Sequence, residues 1–453
     1  MYTGVDAFTL LGHICKAMPT LKLQRAIVRY CIICLALLHG TGSTSLAQQK
    51  VTLRETHRSG ETWQVETSTE QTGSLETIAD PKQPQLPKRL AKSGKAHSQY
   101  VERILQLDEQ QLGVKTLRRY SLLEAEQRIG AETTQARLRN QVSHLVLDRQ
   151  ASRPVTFSPD GPLQLGELEQ VRTDIFVPRL SGMLPTQVVE RGQSWKAATP
   201  AVLELTDLQS LQSGSLECTL SEVAGDVAVV KFAGQVQGAT PNGSNQQTLQ
   251  GNYRFDLKAQ RLVSLQFEVT SLLRDKQNKE VGDITARFQL TRKLTGVAEL
   301  STSGLTLDAN EENTLLLVQE PRLGLELLHS RRWVPSPVND QSWRVDGPSG
   351  SGLTLQFEPA ANIPAAEAIR RQIEATLSKT VQQLRPLPDP AGWEGTQRLS
   401  WTGTQNGKDF VYEYFLWKQG SKGAIVAGRY HAPDAAPAQK DAERLVKSLR
   451  LGR

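Results

Sequence analysis

At 453 residues the chain has room for two to three domains. Its formal charge of +6 includes +3 from the stretch before residue 48 (Lys16, Lys22, Arg25 and Arg29 against Asp6), which leaves +3 for the remainder. The basic pairs Arg118-Arg119, Arg331-Arg332 and Arg370-Arg371 are scattered among acids, so the clustered cationic face that nucleic-acid binding needs is missing. Three of the four cysteines, Cys15, Cys31 and Cys34, fall in that first stretch. Cys218 therefore has no partner for an internal disulfide, and a packed core has to supply the stability. On an alternating stretch, Cys218 reads as a buried small hydrophobe rather than a reactive thiol.

Residues 22–47 have the layout of an export signal. Lys22, Arg25 and Arg29 form a basic head, residues 30–38 an apolar run, and Ser45-Leu46-Ala47 a small-residue cleavage site. Cleavage after Ala47 gives a mature chain beginning near Gln48, with Met18 as an alternative start. The run is less than half of the roughly 20 residues an anchor requires, so no transmembrane anchor is expected in the mature chain. No small-residue lipobox precedes Cys31 or Cys34. The expected location is periplasmic or extracellular.

Beyond the signal, residues 48–76 alternate in the manner of strands, with a turn at Ser59-Gly60-Glu61. Residues 80–97, with three prolines and several lysines, read as a loop or linker. Residues 100–107 and 115–128 fit either long strands or a helix, with strands the preferred reading, and residues 145–157 resume the strand pattern. In residues 163–180, Leu165, Leu168, Val171 and Ile175 recur at helical spacing and predict the one helix of this half. From residue 201 to 294 alternating runs separated by Gly225-Asp226, Asn242-Gly243 and Lys258-Ala259-Gln260 predict an antiparallel sheet. Residues 48–294 are thus expected to form a curved, half-barrel-like domain.

Residues 295–313 are small, polar and acidic, the composition of a linker. Residues 314–453 predict a second domain with strands at 323–329, 343–346 and 353–358. A helix follows Pro364, with the stripe Ala366, Ile369, Ile373, Leu377, Val381 and Leu384. Strands at 397–401, 408–418 and 422–430 precede a closing helix over 434–450. The fold class is α+β.

Two motifs of this last domain, Gly324-Leu325-Glu326-Leu327 followed by Arg332-Trp333-Val334-Pro335 and the closing residues 442–450, resemble the Mog1/PsbP-like superfamily. That resemblance, over residues 315–451, implies an α/β/α sandwich, binding or assembly roles rather than catalysis, and a Trp333 packed near the final helix. In the first domain, Leu184-Pro185 ahead of Gly192 and Trp195 resembles a pattern of secreted bacterial β-rich domains, with Gly192 turning the chain and Trp195 plugging the sheet. Its element order is similar to LolA/LppX-type carriers, whose half-barrels enclose lipid.

Chemistry-bearing candidates are few. Gly347-Pro348-Ser349-Gly350-Ser351-Gly352 precedes a strand, so it reads as a hairpin turn and not a phosphate cradle. No two histidines after residue 48 are three or four residues apart, so no helical zinc pair is expected. His329 and His431 end strands and would share a site if the sheet brought them together; solvated tips are the plainer reading. Glu311, Glu312 and Asp434 are acids that can hold a cation or simply be solvated. Five of the seven tryptophans lie between 333 and 417. Most should fill a core, and Trp393 is the one expected at the surface, where it can stack on a sugar ring. The apolar residues suffice for two cores, with no ionisable cluster expected inside either.

The expected protein is a non-enzymatic, exported binding or assembly module of the bacterial cell envelope, without a cofactor or metal. Its partner is another protein or an apolar small molecule. The alternatives are a lipid carrier in the first domain, or a hydrolase whose groups converge only on folding.

Overall fold

The computed structural model describes residues 49–76, 89–150, 154–172, 174–295 and 300–452; the expected signal and its cleavage site at Ala47 lie outside them. Strands β1 (Thr62–Glu76), β2 (Arg89–Leu107) and β3 (Gly113–Ile129) open the chain, followed by β4 (Glu132–Arg137), β5 (His144–Asp148) and β6 (Val155–Phe157). Helix α1 (Leu165–Arg172), a 3-10 segment at Val177–Met183, β7 (Ser194–Lys196) and α2 (Thr199–Thr206) come next. Then β8 (Ser210–Ala224), β9 (Val227–Thr240), β10 (Gly243–Asp256), β11 (Arg261–Asp275) and β12 (Glu280–Thr295) run as consecutive hairpins.

These strands form one 12-stranded sheet, in the order β6-β5-β3-β2-β1-β12-β11-β10-β9-β8-β7 with β4 against β3. The seam is β1 against β12, in register from Thr62↔Thr295 to Leu75↔Gly282, and it joins two meanders into one sheet. One apolar cluster takes Leu145 and Leu147 from β5, Leu216 and Cys218 from β8, and Val171, Val177, Leu180, Met183, Val202 and Leu205 from the helical segments. Side chains from near both ends of the strand order meet around those segments, so the sheet wraps them. Gly251 leaves room in this face: a Cβ there would lie 2.6 Å from Phe267 Cβ and 2.8 Å from Phe232 Cζ.

The chain departs from the predicted elements at several points. Arg89–Leu107 is a strand from its first residue, so residues 89–97 belong to the sheet and not to a linker. The helix expected over 163–180 ends at Arg172. Pro178 lacks the N–H a continuing α-helix needs, and the chain resumes as the 3-10 segment. The stripe is buried at Leu168, Val171 and Ile175, whereas Leu165 is 48% exposed. Helix α2 makes a second helix where one was expected.

The rest of the chain adds β13 (Leu316–Glu320), β14 (Leu325–His329), β15 (Val334–Asn339), β16 (Ser342–Asp346), β17 (Gly352–Pro359), α3 (Ala366–Leu377) and β18 (Gln382–Pro386). It closes with β19 (Thr396–Gln405), β20 (Lys408–Gln419), β21 (Lys422–His431), α4 (Ala435–Ser448) and β22 (Arg450–Leu451). They make a small sheet, β13-β14-β22, and a larger one, β15-β16-β17-β21-β20-β19-β18. Alternation along β20 separates the two faces. Leu416 packs with Ile369 and Ile373 of α3, while Phe415 and Trp417 pack with Ala438, Ala442 and Leu445 of α4. Helix α3 stops at Leu377, short of the predicted stripe. Val381, just past the helix end, stays in the same apolar cluster, and Leu384 packs against it from β18.

Residues 300–313 contain no helix or strand, yet they are strapped down. Leu300 is fully buried with Leu117, Val146 and Phe157. Arg103 donates to the Leu300 carbonyl at 2.8 Å, and Lys115 Nζ lies 2.7 Å from Asp308. Leu317 N donates to the Leu163 carbonyl at 2.8 Å, and Arg331 Nη2 to that of Thr156 at 2.6 Å, so the two halves are hydrogen-bonded across the seam.

Candidate functional site along helix α4

The interior holds ionisable clusters that the sequence pattern did not suggest. Arg118 is fully buried. Its Nε donates to Glu102 Oε2 at 2.7 Å, Nη1 to Asp174 Oδ2 at 2.8 Å, and Nη2 to the Ile175 carbonyl at 2.9 Å. The guanidinium also lies 4.4 Å from the Tyr100 ring centre. Burial by itself would favour neutral Arg118, but Tyr100, Tyr120, Glu102 and Asp174 hold its pKa above the usual value. Burial pushes the Asp174 carboxyl up, with Arg118 opposing. The cluster fastens the chain after α1 to β2 and β3, and the cavity beside Asp174 holds only about 30 Å³.

A second cluster joins Glu55 to Arg292, and Glu61 to Arg261 at 2.7 Å, around the Trp63 ring. Burial alone would raise the Glu61 carboxyl, but nearby His57, 3.7 Å away, and the hydrogen bond and charge of Arg261 bring it down to about 2. A third reaches the surface: Arg398 donates to buried Glu413 at 2.8 and 2.5 Å and to Glu443 of α4 at 2.9 Å. Burial raises the Glu413 carboxyl against the pull of Arg398.

The residues singled out from the sequence do not converge. His329 is buried in β14, and its ring Nδ1 lies 3.0 Å from the Ser330 carbonyl; burial lowers its pKa. His431 ends β21 in the larger sheet, 5.8 Å from the Phe410 ring centre and 3.8 Å from Asp434. The two histidines thus occupy different sheets with different partners. Among the described residues no three His, Cys, Asp or Glu side chains are grouped to hold a metal ion. Cys218 is fully buried, and burial pushes its thiol up to about 12. Gly192 adopts a φ of +86° at a turn, and the Trp195 indole donates to the Met183 carbonyl at 2.8 Å.

Of the five C-terminal tryptophans, Trp333, Trp343, Trp401 and Trp417 are buried, and Trp333 donates to Asp441 of α4 at 2.8 Å. Trp393 is half-buried. Its ring packs on Phe415, with Arg398 5.8 Å and Lys447 Nζ 5.1 Å from the ring centre. Beside it a groove of about 550 Å³ is lined by Pro390, Arg398, Gln439, Lys440, Arg444 and Lys447. Arg444 and Lys447 also line a second groove, of about 540 Å³, whose other wall includes Pro159, Pro162 and Asn310. The row Arg444–Lys447 therefore divides a cleft running from Trp393 to the seam between the halves. The sequence held a usable signal for this: 440, 444 and 447 are spaced four and three apart within a predicted helix, which places them on one face.

A larger open trough, about 720 Å³, lies on the outer face of the first sheet and is lined among others by Glu217, Lys231, Gln250, Asn252, Glu268 and Arg287. Its charges balance, and Arg287 already donates to Glu268 at 2.9 Å, as on an ordinary solvated sheet face.

No family model and no curated protein matches this chain. Among solved structures it is similar to the translocator domain of the autotransporter NalP from Neisseria meningitidis, at 9% identity over 82% of this chain and 88% of that one, with a TM-score of 0.11. It is also similar to OccK11 (OpdR) from Pseudomonas aeruginosa, at 8% identity over 84% and 99% of the two chains, with a TM-score of 0.12. So low an overlap says nothing about fold or function. No helix among the described residues is long and apolar enough to cross a membrane.

Proposed function

We propose that this chain is an exported, non-enzymatic binding or assembly module of the bacterial cell envelope. In this reading a half-barrel-type sheet domain carries a Mog1/PsbP-like domain, and the ligand is taken along α4. One observation carries it: the indole of Trp393 is only half-buried, and the two cations over its ring, Arg398 and Lys447, also line a groove of about 550 Å³. The deeply buried acids and arginines are instead paired to one another, which suits fastening rather than turnover. Two helices on opposite faces of an antiparallel sheet, with Trp333 against the last helix, agree with the family resemblance.

Acrylamide quenching of tryptophan fluorescence tests the site. Subtracting the signal of Trp393→Phe isolates the Trp393 contribution. Polysaccharide, peptidoglycan or lipid fractions from the envelope should protect that contribution saturably. A contribution equally quenched with and without every fraction counts against binding at this groove.

A further inference from the structure

Lys440 and Arg444 sit one helical turn apart and converge on one carboxylate. Lys440 Nζ lies 3.0 and 2.9 Å from the two oxygens of Glu311, and Arg444 Nη2 donates to Oε2. Glu311 comes from the strapped segment at 300–313, and its side chain is 65% exposed. Its two cationic partners, with the Lys440 side chain 61% exposed, hold its carboxyl below the usual range. Exposed ion pairs of this kind are weak and screened by salt, so another anion of the same shape can replace the carboxylate. The remaining cations of the cleft are already committed, Lys447 to Glu443 and Arg398 to Glu443 and Glu413. If Glu311 moves aside, Lys440 and Arg444 become the cleft's unmatched charges, facing the groove that also holds Gln439 and ends near Trp393.

Resting on the reading of this groove as a binding site, we propose that Lys440 and Arg444 form a pincer for the carboxylate of an acidic oligosaccharide. Glu311 occupies the pincer in the free chain as a tethered competitor. Charge complementarity selects the carboxylate, since the pincer already closes on one. The half-buried indole favours a sugar over a peptide, because its face suits the C–H face of a pyranose ring. Lys447 covers part of the indole only through an exposed cation–π contact, which a ring can displace.

The test is calorimetric titration of the full chain with oligogalacturonate, with the same oligomer methyl-esterified as the uncharged control. Wild type should bind the free acid and bind the ester more weakly. Glu311→Gln should tighten binding of the acid by about threefold to tenfold, the range of one or two exposed ion pairs. Glu312→Gln removes a neighbouring charge of the same segment and should leave the affinity unchanged. Lys440→Ala/Arg444→Ala should erase the preference for the acid, with thermal melts matching wild type for every variant. Equal tightening by Glu311→Gln and Glu312→Gln would reduce the effect to general electrostatics and overturn the competitor role. Stronger binding of poly-glutamate would replace the glycan with an acidic peptide. If acid and ester bind alike and Trp393→Ala abolishes both, the groove is a binding site and the pincer is not. If neither oligomer binds wild type or Glu311→Gln, the pincer proposal fails, while Trp393 quenching decides the binding reading on its own.

Discussion

Replacing Arg118 by methionine keeps an unbranched apolar stem and removes the charged guanidinium. In the folded chain that guanidinium serves two carboxylates whose side chains are only 3% and 5% exposed, Glu102 and Asp174, and a backbone carbonyl. Breaking one buried pair costs about 3–5 kcal/mol, because the surviving charge stays buried without a partner. With two carboxylates abandoned, the upper part of that range, about 4–5 kcal/mol, is expected at pH 7.5. The sign of the pH dependence follows from burial. Burial raises the Asp174 carboxyl and Arg118 opposes that rise, so without Arg118 the deficit is full above the folded pKa of Asp174 and shrinks as the pH falls towards 4. The triple variant Arg118→Met/Glu102→Gln/Asp174→Asn removes the charge altogether and should return to within about 1–2 kcal/mol of wild type. Urea unfolding followed by far-ultraviolet circular dichroism at pH 7.5 and 4.5 measures all three. A loss below about 1 kcal/mol for Arg118→Met, or a triple variant no more stable than the single one, would show that the cluster does not hold the sheet to the segment after α1.

Glu61→Gln should destabilise by about 1–2 kcal/mol at neutral pH, the pairing with Arg261 being discounted for partial exposure. Because the Glu61 carboxyl is held down at about 2, its contribution is complete above pH 4.5 and fades as the pH falls through 2. Wild type and variant, compared by thermal melting, should converge at the acid end; a gap that widens there refutes the assignment. Cys218, with its thiol at about 12 and its side chain in the core, should resist iodoacetamide at pH 8 in the native chain and react fully in urea. Mass spectrometry reads the difference, and rapid native labelling would contradict the burial.

The long hairpins from β8 to β12 were legible because their inner face alternates large apolar residues with polar ones, as in Leu216, Cys218 and Leu220 or Leu265 and Phe267. Residues 89–97 were not, although they pair with β1 along their whole length. Their inward positions are Lys92, Gly94 and Ala96, opposite Gly73, Gln71 and Thr69, so nothing apolar alternates there. Register is imposed by the neighbouring strand and not by the segment's own pattern. A different reason hid β15, whose Pro335 and Pro337 argue against a central strand. It lies at the sheet edge, where a missing N–H is tolerated. At α3 the apolar stripe continued past the helix end because Val381, between the helix and β18, and Leu384, within β18, reach the same core by another geometry.

The buried charges were illegible for a related reason, and they follow one rule. Glu102 and Arg118 face each other across β2 and β3, but the pairing needs a register that includes three irregularities in that ladder. Asp174 is 56 residues further on. In each case the arginine fastens chain that supplies little apolar periodicity of its own to a sheet. Arg118 holds the segment after α1, Arg292 and Arg261 hold the stretch from Glu55 to Glu61, and Arg331 joins the carbonyls of Thr156 and Thr314. Arg398 also ties α4, which has an apolar stripe of its own, to the sheet through Glu443. A guanidinium suits this task because its planar fork bonds several acceptors at once and stays charged when buried, which a lysine ammonium does less well. Arg118 reaches two carboxylates and a carbonyl through three different nitrogens, so lysine at 118 would leave at least one of those acceptors unpaired. The arginines are thus the points at which irregular segments acquire a fixed place, and Arg398 ties the α4 cleft to the core in the same way.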